Sequence, residues 1–71
     1  MSAEQSRRFV LTGQDPQGRN RTIIGWREAE YTGDRVLKRV VLTLDATMDS
    51  ATVLTPAEAI ELARMILTTA R

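Results

Sequence analysis

The sequence predicts an α+β fold, in which an antiparallel sheet of three or four strands carries one C-terminal helix packed on one face, in the order β-β-β-(β)-α. Three observations predict it. Two turn signals, Asp15-Pro16-Gln17-Gly18 and Thr32-Gly33-Asp34, separate β-rich runs, and Thr55-Pro56-Ala57-Glu58 opens an amphipathic stretch.

Residues 1–6 are polar and aperiodic, which predicts a disordered tail and leaves 7–71 as a single sheet-plus-helix domain. The first strand is expected at Arg8–Thr12, with Phe9 and Leu11 on one face and Val10 and Thr12 on the other. In the turn that follows, Asp15 can bond the backbone ahead of it, Pro16 presets φ, and Gly18 relaxes the exit. The second strand is expected at Arg21–Tyr31 and the third at Arg35–Asp45, the richest in β-formers. A loop at Ala46–Ala51 then leads to Thr52–Leu54, long enough for a short fourth strand.

The helix start reads as a capping box, with Thr55 as N-cap, Pro56 at the first helical position and Glu58 reaching back. At helical spacing the apolar residues Ala59, Ile60, Leu62, Ala63, Ile66, Leu67 and Ala70 form one arc opposite Glu58, Glu61, Arg64, Thr68 and Arg71. Met65 falls on the polar side. The segment Leu54-Thr55-Pro56-Ala57-Glu58-Ala59-Ile60-Glu61-Leu62-Ala63 resembles the ending, L-T-P-x-E-A-x-x-L-A, of short uncharacterised proteins of actinomycete and actinophage type. That resemblance covers the C-terminal segment alone and implies origin rather than activity.

Register decides which residues share a face, because strand side chains alternate strictly. A three-residue loop between the second and third strands groups Ile24 and Trp26 with Val40, Leu42 and Leu44 as a core beneath the helix. A two-residue loop sets Trp26 opposite Val41 instead. The first register has the more coherent apolar face and is the expectation here. It leaves Ile23, Arg27, Leu37, Arg39 and Val41 on an open face, apolar at its centre and rimmed by arginine, which is the expected interaction face. Trp26 is then a core anchor; base stacking would require it on the open face. Gly25 beside it marks a bulge or a close approach of another chain.

Composition narrows function by exclusion. The chain has 71 residues, no cysteine and no histidine, so disulfides and ordinary zinc sites are absent from expectation, as are metals and cofactors generally. Ser2, Ser6 and Ser50 have no general base nearby, which argues against an enzyme. Asp45 and Asp49 could pair for acid–base work or bind a hard cation, but beside a loop they read first as turn and capping residues. A chain this short buries only ~60% of its unfolded surface, so a partner subunit is expected, and a homodimer first. No apolar run suits a signal peptide or a membrane span, and the expected location is the cytoplasm.

Net charge is +1, but residues 7–39 carry +4 and residues 40–71 carry −2. Arg21, Arg27, Arg35 and Arg39 are therefore candidate DNA or RNA contacts, in a three-stranded sheet that resembles in outline the arm-binding domains of phage-type integrases. Glu28, Glu30 and Glu58 oppose that reading. The leading expectation is a non-enzymatic protein-interaction or regulatory module, homodimeric through the open sheet face or a strand edge. Nucleic-acid binding is the alternative.

Overall fold

The computed structural model describes residues 2–71, with side chains from residue 5 onward. Four strands, β1 (Ser2–Gln14), β2 (Asn20–Thr32), β3 (Arg35–Leu44) and β4 (Thr47–Leu54), precede one helix, α1 (Pro56–Ala70). The strands form one antiparallel sheet in sequence order, β1-β2-β3-β4. The α+β fold and its element order are as expected.

Each connection has a local cause. Between β1 and β2 the Asp15 carboxylate accepts the backbone N–H of Gln17 (3.0 Å) and of Arg19 (2.9 Å), while Gly18 N–H closes the turn on the Asp15 carbonyl at 2.9 Å. Gly18 takes φ 79°, a conformation that costs glycine nothing. Between β2 and β3 only Gly33 and Asp34 are unpaired, since Thr32 pairs with Arg35. Gly33 sits first in that turn at φ 57°, as a type II′ hairpin requires. Between β3 and β4 Asp45 and Ala46 both have positive φ (55° and 59°), the type I′ requirement, with Leu44 pairing Thr47 across them.

Two expectations about strand extent are corrected. The segment expected as a tail is strand from Ser2 through Ser6, pairing with Tyr31 to Arg27; Met1 lies outside the described residues. A bulge between Ser6 and Phe9 joins this half to the rest, with the extra residue Arg7 at φ 55°. The expected loop at Ala46–Ala51 is largely β4. There the Ser50 hydroxyl accepts Leu44 N–H at 3.1 Å and donates to the Leu44 carbonyl at 3.0 Å, bridging a register shift between Leu42 and Leu44.

The expected register is also corrected. Trp26 pairs with Val41, so the two-residue turn wins and every side chain of β2 changes its β3 neighbours. One face now carries Ile24, Trp26, Glu28 and Glu30 beside Thr43, Val41, Arg39 and Leu37. The other carries Ile23, Gly25, Arg27 and Ala29 beside Leu44, Leu42, Val40 and Lys38. The helix lies on this second side, where Pro56, Ala59, Ile60 and Ala63 form a groove with Arg27, Lys38 and Val40.

The capping box is present as expected. Glu58 N–H bonds Thr55 Oγ1 at 3.1 Å, and Thr55 N–H bonds Glu58 Oε1 at 2.9 Å. The helix docks sparingly, however, its backbone coming close to β3 and β4 but not to β1 or β2. None of its residues is buried. Among the described residues the buried ones are Ile24, Val41 and Thr43 on the helix-free face at the middle of the sheet, and Gly25 on the helix side.

Gly25 is not a bulge, and within the chain it is Phe9 that approaches it closely. It pairs with Phe9 on one side and Leu42 on the other, and the Phe9 ring lies over it where a Cβ would be. A Cβ at this position would meet Phe9 Cε1 at 2.5 Å and Leu42 Cδ2 at 2.8 Å. Gly25→Ala should therefore destabilise the fold by about 1–2 kcal/mol through displacement of the ring. In a Phe9→Ala background the same change should become stabilising by about 0.5–1 kcal/mol, the ordinary gain of Ala over Gly in a strand. Urea unfolding of the four variants at one protein concentration checks both signs.

Candidate functional site

The residues expected to form one interaction face are divided between the two faces. Ile23 and Arg27 lie on the helix side, while Leu37, Arg39 and Val41 lie on the helix-free side. Val41 is 3% exposed and so offers nothing to a partner. The arginines proposed for nucleic acid are likewise separated. Arg21 bonds Asp15 (3.3 Å) and Asp45 (2.6 Å) at the end of the sheet, and Arg35 stands at the β2–β3 turn. Arg27 lines the helix-side groove, and Arg39 lies on the opposite face.

Register explains why Arg39 is not a free cation. Pairing of Glu28 with Arg39 brings Arg39 Nε to 3.0 Å from Glu28 Oε2, and its Nη2 lies 2.9 Å from Glu30 Oε2. Glu28 in turn accepts the Trp26 indole N–H at 3.0 Å and the Gln5 amide at 3.5 Å. The guanidinium is thus matched by two carboxylates, and the indole edge is pinned. The indole hydrogen bond first, and the Arg39 guanidinium with it, hold the Glu28 carboxyl below its ordinary range.

Trp26 was expected beneath the helix and stands instead on the helix-free face, half-buried. It borders a shallow cavity of about 320 Å³ with Gln5, Arg8, Ile24, Glu28 and Thr43. Every polar group there that is buried has a partner: the Thr43 hydroxyl donates to the Ile24 carbonyl at 3.3 Å, and no described buried side-chain atom is left unbonded. Asp45 is similarly committed, accepting Thr22 N–H at 3.0 Å as well as Arg21, while Asp49 lies exposed in β4. The two aspartates do not form a catalytic pair with one another, since Asp45 is occupied in closing the sheet end.

The helix side is different in kind. Phe9, Leu11, Ile23 and Leu44 stand there with 39–62% of their surface exposed, and Ile60, Ile66 and Leu67 of α1 are 52–58% exposed. Arg7, Arg27 and Lys38 line the groove of about 460 Å³ at the foot of the helix, and no described carboxylate forms an ion pair with them. The sequence predicts a face that combines apolar residues with arginine, but not its membership, because that depends on which face each strand residue takes.

The chain matches none of the family models, curated proteins or solved structures with which it was compared. No helix among the described residues is long and apolar enough to cross a membrane.

Three carboxyls titrate with the fold. Asp15 is held low chiefly by the Arg19 backbone N–H, Asp45 chiefly by the Thr22 backbone N–H, and Glu28 chiefly by the indole. A carboxyl lowered in the folded state stabilises it fully above the unfolded value and loses that contribution as pH falls through the folded value. The urea midpoint should therefore be flat from about pH 7 to pH 5 and decline below about pH 4.5. Glu28→Gln should make the decline shallower, and an unchanged slope in that variant would show the network to be inert.

Proposed function

We propose that this chain is a small non-enzymatic interaction module that works as a homodimer, associating through the helix side of its sheet. One observation carries the reading. A compact protein of 7.9 kDa exposes about 4,400 Å², whereas this chain exposes 5808 Å². The excess, about 1,400 Å², exceeds the roughly 800 Å² that each partner buries in a standard interface. The radius of gyration, 14.1 Å against about 11 Å for a compact chain of this length, points the same way.

The nature of the surplus surface supports association in particular. On the helix side Phe9, Leu11, Ile23 and Leu44 are exposed without ion pairs among them, whereas on the opposite face the exposed Val10, Leu37 and Val53 share the surface with the paired charges of Arg39, Glu28 and Glu30. Such a dimer would serve as an accessory or regulatory factor that docks on another macromolecule, with no chemistry of its own. A cytoplasmic location belongs to the same reading and fits a chain without cysteine.

A second reading has one observation in its favour. Trp26 stands on the helix-free face with Arg8 at the same cavity, an aromatic and a cation placed for a single-stranded nucleic acid. Against it, Glu28 and Glu30 share that face.

Sedimentation equilibrium over a hundredfold range of concentration should give a mass near twice 7.9 kDa. A constant mass of one chain at every concentration would overturn the dimer. Trp26 is the only tryptophan, so its emission reports the second reading directly. The interaction reading expects no change on adding a single-stranded oligonucleotide at low salt; quenching that fades as salt is raised would favour nucleic acid instead.

A further inference from the structure

We infer that the two copies are seated reciprocally, with the apolar arc of α1 in each protomer lying across the uncovered β1–β2 patch, Phe9, Leu11 and Ile23, of the other. This arrangement rests on the homodimeric reading above and names the contact that makes it.

The structure contains two halves of a core that do not meet within one chain. Because the backbone of α1 runs near β3 and β4 and not near β1 or β2, Phe9, Leu11 and Ile23 on the helix side of β1 and β2 are left exposed. Leu11 is 62% exposed there. Meanwhile the helix, whose arc is built to be buried, leaves Ile66 58% exposed. A helix of 15 residues is about 22 Å long and is marginal in water without packing. It needs a sheet, and the β1–β2 patch needs a helix. A foreign protein would have to bring both at once to satisfy this chain. A second copy brings both by definition, and a two-fold axis makes the same contact twice. The surplus of about 1,400 Å² per chain leaves room for two such contacts.

The competing mode, edge-to-edge strand pairing, meets obstacles at both edges. The outer edge of β1 is broken by the bulge at Arg7, and the β3–β4 ladder by the register shift that Ser50 bridges. Bulges and charges at edges are the usual means of blocking that kind of association. The cations do not oppose the reciprocal seat. Arg7, Arg27 and Lys38 line the groove at the N-terminal half of the helix, whereas Ile66 and Leu67 lie toward its C-terminal end. Their long side chains can leave the interface with their charges in water.

The absence of cysteine makes the test clean. Full-length Leu11→Cys and Ile66→Cys chains, one enlarged by a tag, are mixed, allowed to exchange subunits and treated with a short bismaleimide. The expected main product is the hetero-linked pair of intermediate mass, exceeding either self-linked pair by at least several-fold. Both substitutions are at exposed positions, and circular dichroism of each variant confirms that it folds. A dimer by sedimentation that gives only self-linked pairs or none would overturn the reciprocal arrangement while leaving the dimer standing. A wild-type monomer would overturn both.

Discussion

The turn at Gly33-Asp34 is the constraint on which the rest of the structure depends. Two unpaired residues, with Gly33 at φ 57°, set Thr32 against Arg35 and from there Trp26 against Val41. A slip of one residue would carry every β2 side chain to a new partner. The Glu28–Arg39 contact would vanish, and with it the seat for the indole N–H. Arg27 would leave the helix-side groove for the opposite face. The Arg39 ion pairs, the partners of the buried residues and the make-up of each face are consequences of one short turn.

The helix inherits its position from the same register. Leu54, the last residue of β4, pairs with Val40, so α1 begins at the end of β4 beside the middle of β3, and its backbone stays near these two strands rather than β2 and β1. Its start is secure, because the reciprocal Thr55–Glu58 bonds satisfy backbone donors that a helix end leaves open. Its packing is not. Among the described residues the single chain thus buries only two hydrophobic side chains, Ile24 and Val41. A one-layer sheet with an outlying helix lacks the second layer that a stable core requires.

Where information was local, it was legible in the sequence. The Asp15–Gly18 turn and the capping box each rest on contacts within four residues, the β3 run is marked by its own β-forming residues, and each is present. The register was not legible, because Thr32-Gly33-Asp34 suits a loop of either length. β3 could not arbitrate: Val40, Val41, Leu42 and Leu44 are apolar on both faces, so alternation carries no preference there. The polar start of β1 looked like a tail because its stability comes from a partner strand rather than from apolar residues of its own. Ser50 gave no signal either, since its bonds to Leu44 exist only once the Asp45-Ala46 turn has formed. The arginines misled for the same reason as the face. Whether Arg39 is free or doubly paired depends on residues nine and eleven positions away.

The two faces of the sheet now differ in what they still lack. On the helix-free face Arg39 is held between two carboxylates, the indole N–H is bonded, and Thr43, 2% exposed, has its acceptor. A partner covering the exposed Val10, Leu37, Met48 and Val53 of that face must also desolvate these paired charges, and that cost offsets part of the apolar gain. On the helix side the balance reverses. Removing Phe9, Leu11, Ile23 and the α1 arc from water is favourable at about 25 cal/mol per Å², and no buried ion pair has to be broken. The driving force for association therefore lies where the chain's own helix falls short, between a strand pair with no cover and a helix with nothing beneath its far half.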